Sequence, residues 1–257
     1  MPLPISVAII ARNEEENLRR LLPNITGFAE EIILVHNDCT DDTVNIAKSH
    51  GAKCFENKWV GHVEQKNFAL TKCRSDWILS LDADEALSEK LRSSIYGFFK
   101  NENEHKSVDG LFFNRCSFFL GKWIRHGDWY PDRKLRLIRN GKAKWVGKNP
   151  HDKLQLNDSL KSHFLIGDLE HYSFRDVRSL SEKSLVYSDI FIKNFDQNRR
   201  VHLLSFAVLR AIWRFFRCYI LRLGFMDGSV GFIIAFSVAY ETLMKHSRSW
   251  ELQDKKV

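Results

Sequence analysis

The chain has no C-x-x-C pair, and its five cysteines, Cys39, Cys54, Cys73, Cys116 and Cys218, are odd in number. A secreted disulfide framework is therefore not expected, and a reducing compartment is. No run of 18 uncharged apolar residues occurs. The nearest candidate, 229–240, is too short to cross a bilayer as a helix. The opening Met1-Pro2-Leu3-Pro4 has no basic residue, and 5–11 runs straight into charge, so no signal peptide is expected. The loops that usually cradle phosphate are missing as well. Neither G-x-G-x-x-G nor G-x-x-x-x-G-K-[ST] is present, and neither is G-x-S-x-G or H-E-x-x-H. There is no internal repeat and no low-complexity tract.

What is there suits a sizeable core. Of 257 residues, 44% are hydrophobic and 28% charged, enough for one large domain or a domain with an appendage. Lys and Arg number 39 against 32 Asp and Glu, a net charge of +7. That excess suits nucleic acid, an anionic membrane face or a phosphorylated substrate.

The first hundred residues alternate short apolar runs with amphipathic segments. Strands are expected at 5–10, 31–36, 53–56 and 77–81. Asn13 offers an N-cap for a helix that Pro23 stops, Gly51 ends a second helix, 63–72 forms a third, and Ser88 caps a fourth running to about 100. The rhythm predicts an α/β fold with a mostly parallel central sheet and helices on both faces. Ligands then sit beyond the carboxyl ends of the strands. Three polar clusters lie there: Arg12-Asn13-Glu14, His36-Asn37-Asp38 and Asp82-Ala83-Asp84. Residues 109–175 change character, with strand pieces at 110–114 and 134–139 and many Trp, His and Arg residues. From about 176 the chain reads as helical.

Asp82 and Asp84 are two acids one residue apart after an apolar strand. In extended chain they point to one side, and paired carboxylates there suit Mg²⁺ or Mn²⁺. Such a metal could neutralise a diphosphate leaving group. Alone, the pattern also fits a solvated loop with Asp84 capping the next helix. Without a phosphate loop, though, a nucleotide diphosphate bound to a parallel sheet needs a metal.

The stretch Ile5-Ser6-Val7-Ala8-Ile9-Ile10-Ala11-Arg12-Asn13-Glu14-Glu15-Glu16-Asn17-Leu18 resembles the opening of the family 2 glycosyltransferases, inverting enzymes of the GT-A fold. Asp38-Cys39-Thr40-Asp41-Asp42-Thr43 resembles their second motif and Leu81-Asp82-Ala83-Asp84-Glu85 their metal motif. Trp59-Val60-Gly61-His62, Gln65-Lys66-Asn67-Phe68-Ala69-Leu70, Gly121-Lys122-Trp123-Ile124-Arg125-His126, Leu135-Arg136-Leu137, His171-Tyr172 and Gly224-Phe225-Met226-Asp227-Gly228 are similar to lipopolysaccharide inner-core glucosyltransferases. The resemblance implies transfer of glucose from UDP-glucose to an inner-core heptose, with a divalent metal. The alternatives are a polyprenyl-phosphate or other lipid-linked acceptor, or a non-catalytic membrane- or RNA-binding protein on the same fold. No nucleic-acid partner is expected.

By resemblance, Ala11, Arg12, Glu14, Asn37, Asp38, Lys66, Asp82 and Ala83 bind the donor. Relatives commonly carry an Asp where this chain has Asn37. Asp84 and Asp82 ligate the metal, and His171 completes its shell; a buried, satisfied His is the alternative for His171. Inversion by single displacement needs a carboxylate to take the acceptor hydroxyl proton. Asp152 stands where relatives have a His-Glu pair, with His151 beside it. Trp123, Arg125, His126, Trp129, Arg133, Arg136 and His151 form the acceptor set, since indole faces pack on sugar rings and cations meet phosphates. The expected divisions are a donor half at 1–108, an acceptor and catalytic half at 109–175, and a helical membrane-associating region at 176–257.

Between Arg199 and Met226 there are six arginines and no acid. On a helix, Arg210, Arg214 and Arg217 share an arc opposite much of the apolar set, beside Trp213. That pattern suits an interfacial helix at anionic headgroups; a helix packed on the catalytic domain is the alternative. With a glycolipid acceptor, the expected location is the cytoplasmic face of the inner membrane, peripherally bound.

Overall fold

The computed structural model describes residues 1–148, 151–193, 195 and 204–254. Its elements begin with β1 (Leu3–Ala11), α1 (Glu15–Ile25), β2 (Ala29–His36), α2 (Thr43–Ser49), β3 (Lys53–Glu56), α3 (His62–Lys72) and β4 (Trp77–Asp82). Then come β5 (Glu85–Leu87), α4 (Glu89–Lys100), α5 (Glu102–Ser107), β6 (Gly110–Phe119), β7 (Lys122–Trp123), β8 (Asp132–Arg139), β9 (Ala143–Lys148), β10 (His151–Leu156) and β11 (Ser162–His171). The helices α6 (Val177–Lys193), α7 (Leu204–Phe216) and α8 (Gly228–Asp254) follow.

Two compact units result, Met1–Arg115 with Asp132–His171, and Cys116–Pro131 with Tyr172–Val257. The first unit is an α/β domain on a sheet ordered β3-β2-β1-β4-β8-β6-β11-β5. The sheet is parallel from β3 to β4. Beyond β4 it turns antiparallel at β8, where β8 pairs β4 on one side and β6 on the other. β8 lies between β4 and β6, so the sheet runs across the division expected at 108.

Alternation along the strands fills both faces. Ile5, Val7 and Ile9 of β1 and Trp77, Leu79 and Leu81 of β4 are buried in one core layer, and Ala8 and Ile78 in the other, as a period of two requires. All five cysteines are free, and burial pushes the Cys73 thiol up to about 12.

Two expected helix boundaries move. The N-cap of α1 is Glu14, while Asn13 takes a left-handed turn at φ 56°, a conformation Asn tolerates. There its Oδ1 accepts the Thr40 N–H at 2.8 Å. Pro23 sits inside α1, and only Asn24 and Ile25 follow it before the helix ends; the proline itself faces solvent. Ser88 does cap α4, accepting from the Leu91 N–H at 3.2 Å, and it also accepts from Asp168 N–H at 3.2 Å. Ser88→Ala is therefore expected to cost about 1 kcal/mol, read as a lowered midpoint in thermal unfolding. An unchanged midpoint would show that water replaces both contacts.

The second unit is mainly helical, with α8 packed against α7 and α6. Its small core holds Phe119, Ile124, Leu180, Val230 and Ile234.

Candidate active site

Register brings the polar strand ends of the first unit together. Ala11 pairs His36 across β1–β2, and Ile10 pairs Asp82 across β1–β4. The loops after β1 and β2 are laced by backbone bonds: Glu14 N–H to Thr43 Oγ1 at 2.8 Å, Glu15 N–H to Asp41 at 3.2 Å, and Asp42 N–H to Glu15 at 3.0 Å. Arg12 stays exposed and Asn37 is buried, donating to Asp38 at 3.2 Å. The Glu14 carboxylate accepts the Asn17 amide at 2.7 Å.

One ammonium organises the rest. Lys66, on α3, is buried and lies 2.6 Å from Asp82 Oδ1 and 2.8 Å from Asp152 Oδ2. Its neighbours explain its position. Gln65 exchanges bonds with Asn57 at 2.8 and 3.2 Å, setting the start of α3. Asn67 bonds both backbone groups of Trp145 at 2.9 Å, docking α3 on β9. The Trp145 ring lies under Lys66, 4.1 Å from the ammonium, and its N–H donates to Ser80 at 3.2 Å. An indole face attracts a desolvated cation, so Trp145 holds Lys66 where both acids reach it.

Arg136 was expected to contact acceptor. Instead it is buried, reaching Asp82 at 3.0 Å and Glu85 at 2.8 and 3.1 Å. The reason is register: β8 pairs β4, so an inward-facing Arg136 meets the acids that follow β4. Burial works against its charge, but Glu85 and Asp82 outweigh that and hold the guanidinium charged. Burial would likewise raise the Asp82 carboxyl, yet Lys66 and Arg136 hold it well below the usual range. Glu85, fully buried and not singled out from the sequence, accepts within this network, and Arg115 lies 3.6 Å from it while pairing Asp132 at 2.9 Å. With Lys134 on Asp132 at 2.9 Å, these four cations and the carboxylates of Asp152, Asp82, Glu85 and Asp132 balance. A diphosphate arriving at this edge would need its own counter-charge.

Asp84 and His171 stand together, Oδ2 to Nε2 at 3.4 Å, because β11 pairs β5 and sets His171 opposite Glu85. Among the described residues no group of three or more His, Cys, Asp or Glu side chains could hold a metal. A carboxylate and an imidazole nevertheless fit Mn²⁺ or Mg²⁺ when diphosphate oxygens complete the shell. Asp82 does not join that pair here, since both its oxygens already face cations. Ala83 is buried in the turn between the two acids. Arg133 lies over the Phe164 ring at 5.0 Å. His151 is on β10, with its side chain outside the described residues.

The remaining expected residues belong to the second unit. Trp129 stacks on Phe174 at 4.9 Å, which covers one indole face. Trp123 meets Phe118 and Tyr172 edge-on at 5.0 and 5.3 Å. His126 pairs Asp227 through its N–H at 3.0 Å and its Nδ1 at 3.0 Å. Arg125 is exposed. Arg214 and Arg217 turn toward Asp128, because that buried carboxylate needs cations more than solvent does, and Arg210 meets His246 at 3.4 Å. Arg199 and Arg200 lie outside the described residues. Among the described residues no single helix is long and apolar enough to cross a membrane; the bent pair Leu204–Leu221 and Gly224–Leu252, at 70° to one another, meets the length and composition for it.

The family model described as Glycosyl transferase family 2 matches residues 6–179. A glycosyltransferase of Rickettsia bellii is 30% identical, over 96% of this chain and 86% of its own. One from Rickettsia typhi is 29% identical, over 98% and 88%. The lipopolysaccharide core biosynthesis glycosyltransferase LpsC of Rhizobium meliloti is 26% identical, over 95% of this chain and 94% of its own. Among solved structures, S. aureus TarS in complex with UDP-GlcNAc superposes with a TM-score of 0.50 at 13% identity, covering 100% of this chain and 91% of that one. That likeness is one of fold.

Proposed function

The chain belongs to glycosyl transferase family 2, and on that premise we propose an inverting, divalent-metal-dependent transfer of glucose from UDP-glucose to a heptose of the lipopolysaccharide inner core. The observation that carries the reading is the Lys66 ammonium joining Asp82, at the donor edge, to Asp152 on β10. One cation spans the two roles that single displacement needs side by side. The similarity to LpsC supports the core-oligosaccharide acceptor, and the inner-core motifs read from the sequence support glucose.

In this reading Asp152 takes the proton of the acceptor hydroxyl as that oxygen attacks the anomeric carbon. Its Oδ2 must first give up Lys66, or Oδ1 must serve. Diphosphate oxygens offer Lys66 an alternative partner within reach. Asn37 and Asp38 meet the base through the Asn37 amide, and Arg12 and Glu14 flank the ribose. Asp84 and His171 would hold a divalent metal there, and its charge would offset that of the leaving diphosphate.

A glycolipid acceptor places the work at the cytoplasmic face of the inner membrane. The exposed apolar residues of the second unit support peripheral attachment: Leu209, Ile212, Trp213, Leu221, Met226 and Phe236 all face outward. Trp213 and Arg210 suit the interface.

Donor screening by thermal unfolding tests the reading. UDP-glucose with Mn²⁺ is expected to stabilise the protein by about 2.7 kcal/mol at a hundredfold excess over Kd. Asp84→Asn is expected to fold normally and lose that gain. Stabilisation that persists in Asp84→Asn removes the metal site, and none with any UDP-sugar removes the donor.

A further inference from the structure

We propose that the bend between α7 and α8 is a phosphate clamp for the headgroup of an anionic phospholipid, formed by Arg214, Arg217 and Arg222 around the buried Asp128. The clamp rests on the membrane reading above and gives it a headgroup chemistry.

Arg214 Nε lies 3.0 Å from Asp128 Oδ2, and Arg222 and Arg217 lie 3.3 and 3.7 Å from Oδ1. The Asp128 side chain is 5% exposed, while the three arginines remain 31–44% exposed. Three cations thus surround one anion, a local surplus of two positive charges. Each guanidinium faces Asp128 through one nitrogen, Nε of Arg214, Nη2 of Arg217 and Nη1 of Arg222, and its other N–H groups lie away from that contact. Each guanidinium carries five donors in a fork that suits phosphate. The bend's other acid, Asp227, is committed to His126.

The cations are held in place by close-packed backbone. Residues Arg217–Leu221 form a π turn, Arg222 N–H donates to Arg217 O at 2.9 Å, and Gly127 N–H donates to Arg222 O at 2.8 Å. Gly127 has φ 75°, and a Cβ there would meet Cys218 Sγ at 3.1 Å. A Cβ at Gly231 would collide with the Gly224 carbonyl oxygen. π turns of this kind recur at functional sites.

The apolar surroundings favour a lipid over a soluble phosphate. Trp213, Phe216, Leu221 and Leu223, interleaved with the arginines, are all exposed. A basic cluster set in an apolar, Trp-bearing rim matches the level of a bilayer where phosphates meet acyl chains. A soluble phosphate would gain nothing from that rim.

Sedimentation of the full chain with vesicles tests this, using phosphatidylcholine alone and phosphatidylcholine with phosphatidylglycerol. The wild type is expected to prefer the anionic vesicles. Removing Arg214, Arg217 and Arg222 alone would strand a buried carboxylate, so Arg214→Gln, Arg217→Gln and Arg222→Gln are combined with Asp128→Asn. That variant loses two net positive charges, and its affinity for anionic vesicles is expected to fall roughly thirtyfold, at about 1 kcal/mol per charge. Its binding to neutral vesicles should not change. Asp128→Asn alone frees the arginines and is expected to bind anionic vesicles about fivefold more tightly. A purely structural cluster away from the headgroups leaves anionic binding unchanged, so unchanged or weaker binding by Asp128→Asn overturns the clamp. This arm decides alone if the fourfold variant does not fold.

The remaining outcomes separate the layers of the reading. Equal binding to both vesicle types, unmoved by the substitutions, overturns the clamp and leaves apolar attachment standing. Binding to neither overturns both. Inorganic phosphate that stabilises the wild type but not the fourfold variant, without any vesicle preference, assigns the cluster to a soluble ligand and overturns the lipid.

Discussion

Asp152→Asn is expected to lower the transfer rate by at least roughly 10²-fold, the lower end of what a general base contributes, while donor affinity by calorimetry stays within about twofold. The geometry explains why the two effects separate. Among the described contacts Asp152 reaches the donor edge through Lys66, and Lys66 retains Asp82 as a partner, 2.6 Å away here, when the carboxylate becomes an amide. Asparagine preserves shape and one acceptor oxygen but cannot take the proton. Single-turnover measurement at saturating UDP-glucose, with an inner-core glycolipid as acceptor, isolates that step. If Glu14→Gln shows the same signature and Asp152→Asn does not, the base lies at the β1 loop. Hydrolysis of UDP-glucose in place of transfer would show a further loss in the variant only if Asp152 also directs water.

Arg136→Met is expected to destabilise the fold by about 3–5 kcal/mol, the cost of leaving a buried carboxylate without its partner. Glu85 is fully buried and makes both close ion contacts with this one guanidinium; the Arg115 contact is longer, at 3.6 Å. Methionine fills similar volume, so the loss reads charge more than packing. For a chain of this size the midpoint should drop by roughly 10 °C. Adding Glu85→Gln removes the stranded charge and should recover much of the loss, a coupling that a double-mutant cycle measures. A loss below about 1 kcal/mol in the single variant would mean that water or Arg115 satisfies Glu85.

The same contacts set an acid limit. Asp82 has a depressed pKa in the folded state, so it binds its proton more weakly there than in the unfolded chain. Its stabilisation is fully present above the ordinary carboxylate value near 4 and is withdrawn as the pH falls through the depressed value. Arg136→Met weakens that depression, so its unfolding on acidification should begin at a higher pH than that of the wild type.

Much of the donor edge was legible before any coordinates. The near-continuous apolar runs at 5–10 and 77–81 read as buried strands and form β1 and β4, so the acids after them had to emerge at one sheet edge. Ser88 announced α4 by its own chemistry. Asn13 misled because its side chain bonds Thr40, across a loop, rather than the helix that follows. The conjunction Gln65-Lys66-Asn67 stood out as a motif, yet only packing explains it: one residue sets the start of α3, one is the bridging cation, and one docks the helix on β9.

Local pattern, then, determined the α/β class, the parallel half of the sheet, the strand-end acids and the amphipathic helices that close the chain, because periodicity and capping act over a few residues. The tertiary structure alone decided which charges meet. Arg136 faces Asp82 and Glu85 because β8 inserts beside β4, 54 and 51 residues away in the chain. Arg214 and Arg217 leave the basic arc for Asp128, which spelling places far from α7. A helical wheel counts a charge as solvent-facing by default. A buried carboxylate modifies that default: it holds the guanidinium groups beside it because an unpaired buried charge is costly, while Arg214 and Arg217 keep 39% and 31% of their side-chain surface in solvent.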